Sequence, residues 1–255
     1  MQLFKLTRQS KILIVILLIF SSICFGIAYV YYSSKNKTED PRVLETKFML
    51  QRFDKLLAEN KFTESLSLLD SIEPVFKNTC GYSDSYELGI VYNNRASVYL
   101  SKALYQETDS LEKQTNLSFA KANIDSCISI YIKWLEKNKD LSTKELLEKN
   151  SQFFQESDIA FQGKNIQKIL QKRVEDLVLA QNETPRRLSV AYTNLGTIQR
   201  HQYCQPEAIE SFIKAISLWK DNYTARNNFN VLMGKEPEDR SIIEQLFPPE
   251  KNKFN

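Results

Sequence analysis

Histidine is almost absent from this chain: one in 255 residues, His201. The four cysteines include no C-x-x-C pair, so a tetrahedral zinc site is excluded. Nor does His201 have an identifiable nucleophile or acid partner, which removes the usual acyl-transfer arrangements. Glycine is scarce, six in all, and no G-x-G-x-x-G, P-loop, G-x-S-x-G or H-E-x-x-H occurs. Adjacent acids such as Glu175-Asp176 and Glu238-Asp239 read as solvated surface. An excess of charge of one sign is missing too. Residues 1–42 carry six of the 34 Lys/Arg and two of the 31 Asp/Glu, which leaves 28 and 29 in 43–255. That part is near neutral and has no basic stripe for nucleic acid. The expectation is a protein that is not an enzyme, with no cofactor, no metal and no small-molecule substrate. The cysteines do not make a disulfide framework either: Cys24 lies in an apolar run, which leaves an odd number. Cys127 reads as a small buried hydrophobe. Cys80 and Cys204 fall in expected loops and pair only if those loops meet.

One long hydrophobic run is present. Ile12 to Tyr32 contains no charge, and at about 1.5 Å per residue it covers roughly 30 Å, the thickness of bilayer hydrocarbon. Tyr29, Tyr31 and Tyr32 stand at its distal end, where aromatic rings favour the membrane–water interface. Lys5, Arg8 and Lys11 precede it; Lys35 and Lys37 follow, with Glu39 and Asp40. The positive-inside rule then puts residues 1–11 in the cytoplasm and the rest of the chain outside, and the expectation is the periplasmic side of a bacterial inner membrane. A cleaved signal peptide would use Gly26-Ile27-Ala28, but the apolar run continues through Val30 to Tyr32, and this favours an uncleaved anchor. Lipidation at Cys24 is disfavoured because Ile23, just before it, is not small.

Scarce glycine with abundant Leu, Lys, Glu, Ser and Asn predicts an all-α fold. Ala191 to Lys220 shows how the helices pair. Tyr192-x2-Leu195-Gly196 is followed by Ala208-x3-Phe212 and then Ala215. Gly196 and Ala208 leave room for close approach, and Leu195, Phe212 and Ile216 fill the space between two antiparallel helices. This segment resembles one tetratricopeptide repeat, departing at Gln199 and Lys220. The resemblance implies an α-solenoid of about four helix pairs plus a terminal helix over 43–247. A polar linker, 33–42, would precede it, and a mobile tail, 248–255, would follow.

Along the chain, Phe48, Phe53, Leu56 and Leu57 share one side of a first helix. Asn60 to Ser65 resembles a repeat turn. Leu66, Leu69 and Ile72 mark the partner helix, with Pro74 just after it. Tyr86 to Gln106 and Leu117 to Lys137 form a second pair, joined by an apparent insertion over 107–116. Ser142-Thr143-Lys144-Glu145 has the form of a capping box and opens a helix to about Phe161. Gly163 breaks it, Ile166 to Gln181 completes a third pair, and Pro185 restarts the chain. A terminal helix runs from Asn222 to Met233, and 239–247 reads as a short cap.

In the repeat register, Asn94, Asn194 and Asn228 recur at one position of the first helix of each pair, with Gln51 at the same place in the first repeat. A side-chain amide offers an acceptor and two donors, so it can hold a peptide unit in both senses. The column resembles the asparagine ladder of some tetratricopeptide superhelices. This implies a protein partner, a peptide segment or helix, on the concave face, with Tyr92, Tyr99 and Tyr192 supplying buried area. Composition and local capping are the competing explanation. Asn94-Arg95-Ala96 also resembles repeats that grip a terminal carboxylate, but Leu50 and Asp54 stand where that pattern needs Lys and Asn. The alternative function is a structural subunit of an envelope or secretion complex, contacted through Lys121, Asp125 and Lys133.

Overall fold

The computed structural model describes residues 8–36, 38–106 and 109–238, with side chains of the first helix described at 9 and 12–27. Among these residues the chain is all-helical and its helices stack in a solenoid-like arrangement, compatible with a helical repeat protein. The helices are α1 (Arg8–Asn36), α2 (Leu44–Ala58), α3 (Phe62–Asn78), α4 (Tyr86–Tyr105), α5 (Ser110–Asn138), α6 (Thr143–Ser151), α7 (Ile166–His201), α8 (Gln205–Leu218) and α9 (Tyr223–Leu232).

Every described side chain of 12–27 in α1 is exposed. Among the described residues no helix is both long and apolar enough to cross a membrane. Residues 12–27 cover about 24 Å of helix axis against roughly 30 Å of hydrocarbon, and the tyrosines at the distal end lie outside the described side chains. The expected cap over 239–247 and tail over 248–255 also lie outside the described residues.

α2 packs on α3, α3 on α4, α4 on α5, α5 on α7, α7 on α8 and α8 on α9. Two close helix approaches use glycine. A Cβ on Gly196 would meet the Phe212 ring at 2.7 Å, and Ala208, Phe212 and Ala215 are fully buried, as the spacing predicts. Gly89, which the repeat register passes over, is the corresponding notch in α4: a Cβ there would overlap the Tyr131 ring of α5. Leu69, Ile72 and Phe76 of α3 fill one core cluster with Val91 and Val98 of α4. Ala96 and Leu100 of α4 belong to the other, with Ile124, Trp134, Leu177 and Leu188.

Three expectations change. The insertion over 107–116 is largely helix: α5 begins at Ser110, where Asp109 accepts from the Glu112 amide at 2.7 Å. Pro74 lies inside α3, not after it. The third pair is not built as expected. The Ser142 capping box forms, but α6 stops at Ser151, and α7 runs unbroken from Ile166 through Pro185 to His201. Pro185 lacks the N–H that would reach back one turn. Packing holds the helix across that defect. Ser189 donates to the Ala215 carbonyl of α8 at 2.6 Å, and Asn222 donates to Ser189 and Thr193 while capping Ala225 of α9. The stack is thus three helix pairs, α2/α3, α4/α5 and α7/α8, plus α9, with α6 on the flank of α7.

The expected 33–42 linker is also not a free tether. α1 continues to Asn36. Arg42 then places its guanidinium 4.8 Å and 4.7 Å from the Phe154 and Phe161 ring centres, donates to the Phe153 carbonyl at 2.9 Å, and pairs with Asp40 and Asp158. Phe154 and Phe161 are buried and stacked on each other beside this guanidinium, where one helix was expected to run on to Phe161. Lys47 of α2 reaches both Glu39 and Asp176 of α7, and Lys172 joins them. Asp176, read from sequence as solvated, is a half-buried partner of both lysines. Beneath lies Arg173, 2% exposed. It bonds Glu87, Ser85 and the Gly81 carbonyl, and lies 4.0 Å from the Tyr82 ring centre.

Candidate partner-binding site

The amides of the predicted column are brought partly together. Asn194 of α7 donates to Asn93 of α4 at 3.1 Å, and Asn228 of α9 reaches Thr197 of α7 at 3.4 Å. The α4 partner is thus Asn93, not Asn94. Neighbouring helices cross at an angle, so the residues that touch need not share a register position. The Asn93-Asn94 doublet was the signal for this. Asn94 is half-buried and Gln51 is exposed on α2.

The tyrosines point three ways. The Tyr92 hydroxyl donates to Glu73 of α3 at 2.6 Å, so it joins two helix pairs. The Tyr99 ring lies 5.2 Å from that of Phe119 on α5. Tyr192 lines an open groove of about 510 Å³ with Leu195 and with Asp125, Ile128, Ser129, Ile132, Lys133 and Glu136 of α5, and Lys214 of α8 lies over its ring. Two residues of the expected lateral surface, Asp125 and Lys133, therefore share a groove with a residue expected on the concave face.

Glu73 is the most heavily solicited acid near Tyr92. Lys77 and Arg95 each pair with it at 2.6 Å. Partial burial pushes its carboxyl up, but donation from Lys77, Tyr92 and Arg95 outweighs this and holds it at about 2, below its usual 4.5. A depressed folded value means stability present above 4.5 and lost as pH falls towards 2. Glu73→Gln is expected to flatten the decline of melting temperature between pH 4.5 and 2. An unchanged slope would show that Glu73 is not the group titrating there.

Among the described residues no group of three or more His, Cys, Asp or Glu is placed to hold a metal ion. Cys80 and Cys204 are free and exposed, so the possible disulfide is not made. Cys80 sits in the link between two pairs and Cys204 in the turn within one, and in a stack of helix pairs these connections fall at opposite edges. Cys127 is buried, and burial pushes its thiol well above the ordinary value. His201 is held below its ordinary value by burial and then by Lys113 and Arg200. No family model, no curated protein and no solved structure matches the chain.

Proposed function

We propose that this chain is a membrane-anchored tetratricopeptide-type interaction protein with no catalytic role of its own. Its solenoid would hold a peptide segment or helix of a partner protein. The carrying observation is the amide column: Asn194 with Asn93, and Asn228 with Thr197, tie α4, α7 and α9 into one polar wall. Each side-chain amide keeps further hydrogen-bonding capacity for a peptide backbone. The Gly196–Phe212 fit and the buried Ala208 support the repeat type. The uncharged run Ile12 to Tyr32 and the exposure of 12–27 support the anchor.

The join between α1 and the solenoid is short. Only Lys37 and Thr38 stand between the last residue of α1 and Glu39, which is already paired with Lys47. The three Cα–Cα steps from Asn36 to Glu39 span at most about 11 Å. An anchored solenoid would therefore lie against the bilayer, close to partners held in the same membrane, at raised effective concentration.

Crosslinking in the native membrane, followed by mass spectrometry, tests the reading together with a triple variant. Asn93→Ala, Asn194→Ala and Asn228→Ala combined are expected to reduce partner recovery at least about tenfold. Each lost hydrogen bond should cost about 1 kcal/mol of stability or less. Crosslinks confined to α5 around Asp125 and Lys133, with recovery unchanged in the triple variant, would instead establish the structural-subunit alternative. The groove beside Tyr192 is the observation that favours that second reading.

A further inference from the structure

The far side of α9 already performs a peptide-binding act on the chain itself. Helices α2, α4 and α7 each have a following helix packed along them; α9 has none among the described residues. Gly234, at φ +68°, turns the chain back over that open side. Asn227 then grips residue 238 in both senses. The Glu238 amide donates to Asn227 Oδ1 at 2.8 Å, and Asn227 Nδ2 donates to the Glu238 carbonyl at 3.3 Å. The Tyr223 hydroxyl donates to the same carbonyl. The Glu238 carboxylate meets Arg226 Nε at 3.2 Å and Asn230 Nδ2 at 3.4 Å. Residues 223, 226, 227 and 230 form one stripe, on the opposite side of α9 from Asn228 at about 100° per residue. This face is separate from the amide column.

We propose that this stripe is a docking site for an extended acidic segment of a partner protein, and that Glu238 is its occupant in cis. The recognition chemistry addresses one residue: an amide clamp fixes the backbone, a second amide donates to the carboxylate, and the Arg226 guanidinium lies against it as an ion pair without a hydrogen bond from Nε. Little of this reads other side chains, so the site takes an acidic residue in any extended context. Glu238 is exposed and follows unwound chain over 235–238, so releasing it breaks no helix. A cis occupant lowers the apparent affinity for a trans ligand by the fraction of sites it leaves free.

The test uses the full chain in detergent and, as probe, a fluorescein-labelled peptide Gly-Lys-Glu-Pro-Glu-Asp, read by anisotropy. Glu238→Pro removes both the amide donor and the carboxylate in one step. This variant is expected to bind the probe about tenfold more tightly than the unaltered chain. Adding Asn227→Ala should abolish the gain, and a probe with its second glutamate replaced by glutamine should bind more weakly. Glu238→Gln, which leaves the backbone intact, should fall between the two and serves if Glu238→Pro fails to fold. Equal affinity in the unaltered and Glu238 variants would overturn the proposal, as would binding indifferent to Asn227→Ala. Both outcomes are independent of the amide column and of any anchor.

Discussion

Arg173→Met should destabilise the fold by about 3–5 kcal/mol, because it leaves the buried Glu87 carboxylate without its cation. The reason lies in how completely the pair is enclosed: Arg173 is 2% exposed and Glu87 4%. Burial alone disfavours the charged guanidinium, yet Glu87 and the nearby tyrosines more than offset this and hold it above its ordinary value. The site is also a junction. Arg173 belongs to α7, Glu87 to α4, and Gly81 and Ser85 to the link after α3. Losing the cation therefore loosens the closure of the N-terminal pair on the later helices. The measurement is urea unfolding of the full chain in detergent. Glu87→Met added to Arg173→Met should recover most of the loss, because a matched apolar pair replaces a buried ion pair at little or no cost. If the double variant is as unstable as Arg173→Met alone, the unpaired carboxylate is not the cause.

That junction marks where the sequence stopped being legible. The periodicity of apolar residues located α2 to α4, most of α5, α8 and α9, and read α7 as two helices, while the Gly196–Phe212 spacing identified one helix pair down to its contact. These are local signals, set within about one repeat. The clamp at Arg42, the Lys47–Asp176 pair and the Arg173–Glu87 pair join residues far apart in the chain, and nothing in the local pattern of 33–42 distinguishes a clamp from a tether. Pro185 misled for a related reason. Its own effect on a helix is real, but Ser189 and Thr193, bonded to α8 and α9 just beyond it, hold α7 continuous. The amide column was visible as a recurrence of asparagine. Which asparagine touches which was not, since that depends on helix crossing and gave Asn93 in place of Asn94. Glu238 looked like a solvated tail residue because its partners on α9 become neighbours only after the turn at Gly234.

Gly89 supplies the second large effect, and its test turns on a change of sign. In an exposed helix interior, Gly→Ala gains about 1 kcal/mol from helix propensity. At Gly89 the gain should be reversed. A Cβ would overlap the ring of Tyr131, which is 1% exposed and packed in the core. Overpacking of this kind costs about 1–3 kcal/mol, so Gly89→Ala should be net destabilising, and Gly89→Leu should lose about 3 kcal/mol, at the upper end of that range. The decisive comparison is a double-mutant cycle with Tyr131→Leu, which withdraws the ring from the notch. In that background Gly89→Ala should become neutral or stabilising by about 1 kcal/mol, as propensity alone predicts. If Gly89→Ala is equally destabilising with and without the Tyr131 ring, the notch is not what holds α4 against α5. The pairing would then rest on the alanines Ala96, Ala103 and Ala120 alone. A reversal instead would show that two glycines, at different depths of their helices, set the approach of two successive pairs. The register of the repeat names only one of them, Gly196, because Gly89 lies seven residues before the equivalent position, Ala96. Two turns along the same helix face, that displacement moves the close contact towards the edge where Tyr82, Glu87 and Arg173 gather.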